Sequence, residues 1–144
     1  MRLRKQGHSV YYCKYHIVLT TKYRRKVFRA AGVHEYFSKL LLQVKSHYPD
    51  LEIEANNHDM DHVHLLLGVP PKYSVADIIR IIKCNTGKKI KDKFEFVQRM
   101  YWGSDGIWSD GYMATTTGVD EKTIKLYVEN QGKEDSGQTL FGTV

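Results

Sequence analysis

The residues of this chain with the clearest capacity for chemistry are His62 and His64, in the stretch Asn57-His-Asp-Met-Asp-His-Val-His-Leu-Leu-Leu-Gly-Val69. Side chains alternate along a strand, so an extended chain from His62 onward puts both imidazoles on one face and Val63 on the other. Neutral imidazole is the commonest metal ligand, and an i, i+2 pair on a rigid strand fixes two coordination positions together. Seven His in 144 residues give about 0.3 His-x-His pairs by chance, so the pair carries weight only with a third partner. Near the other end of the chain, Ile124, Tyr127, Val128 and Gln131 fall at i, i+3, i+4 and i+7 and share one helical face. A phenol and an amide on an apolar stripe each need a bonding partner. Either both bond to backbone at a helix–sheet seam, or Tyr127 is a nucleophile and the Gln131 carbonyl is the third ligand of a metal held by His62 and His64.

The elements that position these groups follow from hydrophobic periodicity. Residues 9–21, rich in β-branched and aromatic types, read as one long first strand, and Lys22-Tyr-Arg-Arg-Lys26 leaves it as a basic loop. Over residues 30–47 the stripe Val33, Phe37, Leu40, Leu41, Val44 predicts an amphipathic helix stopped by Pro49. Residues 51–55 alternate as a second strand, and 56–61 turn into a third that starts at His62. The apolar run Leu65-Leu66-Leu67 predicts a strand covered on both faces and central in its sheet. Ser74-Val-Ala-Asp77 has capping-box spacing and opens a second helix, with Val75, Ile78, Ile79 and Ile82 inward and Arg80 and Lys83 outward. Gly87 is a candidate kink in it. Residues 107–117 read as a fourth strand, Asp120 as the N-cap of a last helix over 121–131, and Gly132 as its C′ residue. The order β-α-β-β-α-β plus a final helix predicts an α+β, ferredoxin-like antiparallel sheet, with helices on one face and the first and third strands at its centre. Residues 1–132 form one domain and 133–144 a polar tail.

The 42% hydrophobic and 26% charged composition is that of a globular protein, no run approaches the ~20 apolar residues of a membrane span, and the N-terminal residues lack the apolar core of a signal peptide, so a cytoplasmic protein is expected. Cys13 and Cys84 are isolated and read as reduced and structural. Lys plus Arg number 22 against 16 acids, a net +6 that favours a polyanionic partner. The charge falls in two blocks, from which Arg4, Lys5, Arg24, Arg25, Lys83, Lys88 and Lys89 are candidate nucleic-acid contacts, with tyrosines interleaved as stacking platforms for unpaired bases.

Taken in order, Asp61-His62-Val63-His64-Leu65-Leu66-Leu67, Ile107-Trp108-Ser109-Asp110-Gly111-Tyr112 and Tyr127-Val128-Glu129-Asn130-Gln131 resemble the motifs of the single-tyrosine HUH transposases of the insertion-sequence 200/605 family. The likeness spans nearly the whole chain. It departs at Lys83-Cys84-Asn85-Thr86, where such proteins often carry a Lys-Gly-x-Ser-like element. The resemblance implies a transposase acting on single-stranded DNA at hairpin-marked element ends. It assigns Tyr127 as nucleophile and His62, His64 and Gln131 as metal ligands, with a 5′-phosphotyrosine intermediate and a freed 3′-hydroxyl. It also implies a homodimer in which the tyrosine helix of one subunit can complete the other's site, and no nucleotide cofactor. Two imidazoles and a neutral amide leave the charge of a divalent ion uncompensated; mixed N and O ligation suits Mn²⁺, abundance favours Mg²⁺.

Three other readings fit parts of the pattern. A non-catalytic RNA-binding module on the same plan would stack bases on Tyr12, Tyr15 or Tyr112 and bind without metal. A replication-initiator or relaxase nickase shares the chemistry but is expected in a longer chain. A zinc hydrolase lacks an obvious third Asp, Glu or His ligand.

Overall fold

Among the residues described by the computed structural model (4–6, 9–11 and 13–137, with side chains from Cys13 onward), ten α-helices and β-strands follow one another. They are β1 (Arg4–Gln6), β2 (Ser9–Tyr11), β3 (Lys14–Thr20), α1 (Val33–His47), β4 (Glu52–His58), β5 (His62–Gly68), α2 (Val75–Lys93), α3 (Glu95–Met100), β6 (Met113–Thr115) and α4 (Glu121–Asp135). The main sheet has the order β4-β5-β3-β6 with every pair antiparallel, which places β3 and β5 at the centre as the ferredoxin-like plan requires. Val63, Leu65 and Leu67 of β5 and Ile17 and Leu19 of β3 point to one face, where α1 and α2 cover them with Phe37, Leu41, Ile78 and Ile82. Each such side chain contributes about 1.5–3 kcal/mol through its burial. The other face carries Val18, which packs with Ile124 and Val128 of α4.

Local signals hold where they are local. Ser74 caps α2 by accepting from Asp77 N at 3.0 Å, and Asp120 caps α4 by accepting from Thr123 N at 2.8 Å. The inward stripe of α1 is buried as expected. Elsewhere tertiary contacts redraw the boundaries. The long first strand is two strands with different partners: β2 pairs with β1, while β3 pairs with β5 and β6. The second strand runs on to His58 across an irregularity at Ile53/Ala55. Of the expected fourth strand only Met113–Thr115 joins the sheet, apart from a bridge between Thr21 and Trp108. Gly87 does not interrupt α2; a Cβ there would stand 3.1 Å from Trp108 Cδ1, so the glycine is a gap for the indole. Nor is β5 sealed on both sides, since Leu66 is only half-buried with the histidines.

Gly132 is likewise not a helix end. α4 continues through it to Asp135, so the first residues assigned to the tail are helical, and the left-handed residue after the helix is Gly137, at φ 82°. No described helix is long and apolar enough to cross a membrane.

Trp108 stacks on Phe28 with ring centroids 5.8 Å apart and donates from Nε1 to Thr86 Oγ1 at 2.9 Å. Thr86→Val keeps the shape and strips the acceptor, and should cost about 1–3 kcal/mol, read as a lowered urea midpoint at unchanged slope. His34 donates from Nε2 to Asn56 Oδ1 at 2.9 Å and stacks on His58 at 4.1 Å; burial, with the nearby His58 adding, holds its pKa below the usual imidazole value. An unfolded chain therefore binds more protons near pH 6 than the folded one, so stability is full above the ordinary imidazole range and falls as pH drops through it. Urea midpoints should decline from pH 7.5 to pH 5.5, and decline less in His34→Gln.

Candidate active site: an imidazole pair beneath the last helix

β5 delivers the two histidines as its alternation demands. His62 lies opposite Thr20, and His64 lies between Val18 on β3 and Asn57 on β4. Because Val63, Leu65 and Leu67 are fully buried on the other side, a one-residue slip would drive both imidazoles into the core, so the register is strongly specified. Asp61, just before the strand, places one carboxylate oxygen 2.9 Å from His62 Nδ1 and the other 3.2 Å from Arg24 Nε. Burial pulls the Asp61 pKa up, but the bonds from His62 and Arg24 prevail and hold it below the usual carboxylate value. An anionic acceptor at Nδ1 favours the tautomer whose Nε2 keeps its lone pair, the arrangement seen where carboxylates orient metal-binding histidines. His64 Nε2 lies 3.4 Å from Nδ1 of a third imidazole, His16, on the neighbouring strand. Burial, then the nearby His16 and His62, push the His64 pKa down and keep its ring neutral.

Above this face runs α4. A cleft of about 520 Å³ separates them, with Asn57, Asp61, His62 and His64 below, Glu121, Ile124, Lys125 and Val128 above, and Arg24 and Lys26 at one end. Tyr127 and Gln131 do not line the cleft. Tyr127 packs with the Val18–Ile124–Val128 cluster; its hydroxyl is buried and has no hydrogen-bond partner among the described residues. Burial, then the carboxylates of Glu134 and Asp135, raise its pKa well above that of a free phenol. Gln131 is buried and donates from Nε2 to Ser109 Oγ at 2.8 Å, with its amide against Gly111, where a Cβ would stand 2.9 Å from Oε1. The structure thus brings His62 and His64 together and places Tyr127 and Gln131 beside, rather than in, their cleft.

The loop that receives Gln131 is tied to α2. Lys83 Nζ donates to the carbonyls of Ser109, Asp110 and Gly111 at 2.7, 3.3 and 2.9 Å, which holds residues 109–111 off the sheet, so the fourth strand joins it only from Met113. Burial lowers the Lys83 pKa, with Asp110 and Asp135 opposing. Lys83 therefore holds the chain instead of projecting outward. Asp135 locks the C-terminal end of α4, accepting from Ser109 Oγ at 2.7 Å and from Tyr23 N at 3.0 Å. Tyr23 and Arg24, at φ 60° and 53°, occupy the left-handed region, which costs roughly 1–2 kcal/mol for each such residue.

The other candidate contacts are dispersed. The Arg25 guanidinium lies 5.1 Å from the ring centroids of both Tyr23 and Tyr101. Lys88, paired with Asp92 at 3.0 Å, and Lys89 are exposed on α2, which covers the sheet face opposite the imidazoles. The side chains of Arg4 and Lys5, and Tyr12 altogether, lie outside the described residues. Sequence reasoning passed over His16, Ser109 and Asp135; for His16, the i, i+2 relation to the inward-facing Val18 was the available signal. As for a metal, two imidazoles lining one cleft suit two positions of a divalent ion. Among the described residues no group of three or more His, Cys, Asp and Glu side chains that could hold a metal ion is found, so an ion on the two imidazoles would need other kinds of ligand, such as an amide, substrate oxygens or water.

The sequence profile of the family described as "Transposase IS200 like" matches residues 9–131. The transposase for insertion sequence element IS200 of Salmonella typhimurium is 30% identical over 134 residues, 90% of this chain and 83% of that protein. The ISDra2 transposase TnpA of Deinococcus radiodurans is 24% identical over 132 residues, 91% and 92% of the two chains. Among solved structures, a Deinococcus radiodurans R1 protein assigned as a transposase superposes with a TM-score of 0.74 at 29% identity, covering 89% of this chain and 97% of its own. A REP-associated tyrosine transposase bound to a REP hairpin shares the fold, with a TM-score of 0.52 at 14% identity over 92% and 74% of the chains. With the profile spanning most of its length, this chain belongs to the IS200-like transposase family.

Proposed function

We propose that this transposase cleaves and rejoins single-stranded DNA through Tyr127, with His62, His64 and Gln131 holding a divalent ion, Mg²⁺ or Mn²⁺. The observation that carries the reading is the pair of imidazoles fixed on a central strand, facing a cleft roofed by the helix that bears Tyr127 and Gln131. The ion supplies charge to polarise a phosphodiester whose negative charge grows in the transition state. The phenol oxygen of Tyr127 attacks phosphorus, giving up its proton to solvent or a nearby base. The bond to the 3′ oxygen breaks and that oxygen takes a proton, leaving a 5′-phosphotyrosine and a free 3′-hydroxyl. Rejoining reverses the exchange, and no nucleotide is consumed because the phosphotyrosine retains the diester's energy.

For this chemistry α4 has to present a different stripe to the sheet. In the docked position the phenol is buried beside Glu134 and Asp135, which keep it protonated, and the Gln131 amide is engaged by Ser109. Turning or relocating α4 frees both groups, and delivery of the helix from a second copy accommodates this, so the proposal includes a homodimer whose sites are completed across subunits. The substrate reading extends to this chain what one structural relative was captured with, a hairpin. A groove of about 600 Å³ adjoins the cleft, where Arg25, Lys26 and Arg29 offer cations around an apolar floor of Phe96 and Met100 for the flanking strand.

Incubated with single-stranded oligonucleotides carrying element ends and Mn²⁺, the wild-type protein should form a denaturation-resistant adduct. Tyr127→Phe should form none while binding the same DNA within about twofold. An adduct in that variant removes Tyr127 as nucleophile. His64→Ala and Gln131→Ala should each weaken the Mn²⁺ dependence of cleavage by roughly tenfold or more without lowering the thermal midpoint sharply; cleavage unchanged across a manganese titration removes the substituted residue from the ligand set.

A further inference from the structure

Gly132, buried on α4, lies against the aliphatic stem of Arg24: a Cβ at that position would stand 2.5 Å from Arg24 Cδ and 2.6 Å from Cγ. The guanidinium continues past the helix to Asp61, with Nε 3.2 Å from Oδ2, and the remaining oxygen of Asp61 lies 2.9 Å from His62 Nδ1. Three contacts therefore run from the backbone of α4 to the ring of a candidate ligand. The start of this path is itself fixed. Arg24 holds a left-handed backbone at φ 53°, its N–H donates to Thr21 O at 3.0 Å, and the preceding residue's N–H is bound by Asp135 of the same helix. A non-glycine pair keeps such a conformation only where its surroundings impose it.

We infer that Arg24 is a positioning residue for His62: through Asp61 it fixes which imidazole nitrogen is protonated and how the ring is aimed, and α4 takes part through Gly132. The inference rests on the proposed function only in treating His62 as a ligand. It gives this arginine a role other than the phosphate contact that its charge suggests. An outer carboxylate that orients a ligating histidine typically matters 10- to 100-fold in metal affinity, and a group that holds the carboxylate should matter somewhat less. The path also makes α4 a sensor of the site: displacing the helix loosens Arg24, and with it the aim of His62.

The test uses full-length Arg24→Ala, Asp61→Asn, the double variant and Gly132→Ala, with three readouts. Nitrogen NMR of the metal-free protein reports the His62 tautomer, electron paramagnetic resonance reports Mn²⁺ binding without DNA, and fluorescence anisotropy reports single-stranded DNA binding without metal. The wild type should show His62 protonated at Nδ1. Arg24→Ala should give mixed tautomers and bind Mn²⁺ about tenfold more weakly, the double variant should be no worse than Asp61→Asn alone, and metal-free DNA affinity should stay within about twofold. Gly132→Ala should shift the same readouts in the same direction; if it fails to fold, the Arg24 and Asp61 variants decide. An unchanged His62 tautomer in Arg24→Ala, multiplying losses in the double variant, or weakened metal-free DNA binding would each overturn the inference. If wild-type protein shows the tautomer but binds no Mn²⁺, the metal reading fails instead and the positioning result stands on its own.

Discussion

The register of β5 is the constraint on which the rest depends. Three fully buried side chains, Val63, Leu65 and Leu67, commit one face of the strand to the core beneath α1 and α2, and alternation leaves His62 and His64 no alternative to the other. Because β5 is hydrogen-bonded on both sides, to β3 and to β4, the imidazoles stand on backbone that cannot shift singly. Asp61 then sets the first ring, and His16, from the adjoining strand, crowds the second. Core packing on one side of a sheet thus dictates chemistry on the other.

The opposite side of the cleft is held differently. α4 buries Ile124 and Val128 against Val18 with Tyr127 packed beside them, a small apolar contact, and owes much of its placement to polar anchors, Gln131 on Ser109 and Asp135 on Ser109 and Tyr23, and to the seating of Gly132 over Arg24. Polar anchors are directional and can be exchanged for others at modest net cost, unlike the burial that fixes β5. The site therefore combines a rigid floor with a roof whose position is set by a few replaceable bonds. One of those bonds engages Gln131, and the same docking buries the Tyr127 hydroxyl without a hydrogen-bond partner among the described residues, a cost that a different docking would relieve. The competition between the docked contacts of α4 and the roles proposed for its side chains is the physical basis of the account.

What the chain revealed in advance was what neighbouring residues decide among themselves. Ser74 with Asp77, Asp120 with Thr123, the stripe of α1 and the alternation of β5 are settled within one or two turns, and the ferredoxin-like order followed from them. The misread positions answer to distant partners. Gly132 has the appearance of a helix terminator, yet it is small because Arg24 crosses it. Gly87 has the appearance of a kink, yet it makes room for Trp108. Lys83 reads as a solvated cation, yet its ammonium gathers three carbonyls of the 109–111 loop, ahead of the last strand. The shared stripe of Ile124, Tyr127, Val128 and Gln131 was correct as helix geometry, but not as an indication of what each residue faces. A helix over a sheet can turn by a fraction of its circumference without changing its periodicity.

A structure of Tyr127→Phe with Mn²⁺ and an uncleaved single-stranded end therefore tests the central claim most directly. The account predicts the ion between His62 and His64 with the Gln131 carbonyl, from either copy of the chain, at bonding distance and the Gln131–Ser109 bond broken. An ion bound by the two imidazoles and the DNA, with α4 still docked and Gln131 still on Ser109 in every copy, would contradict it.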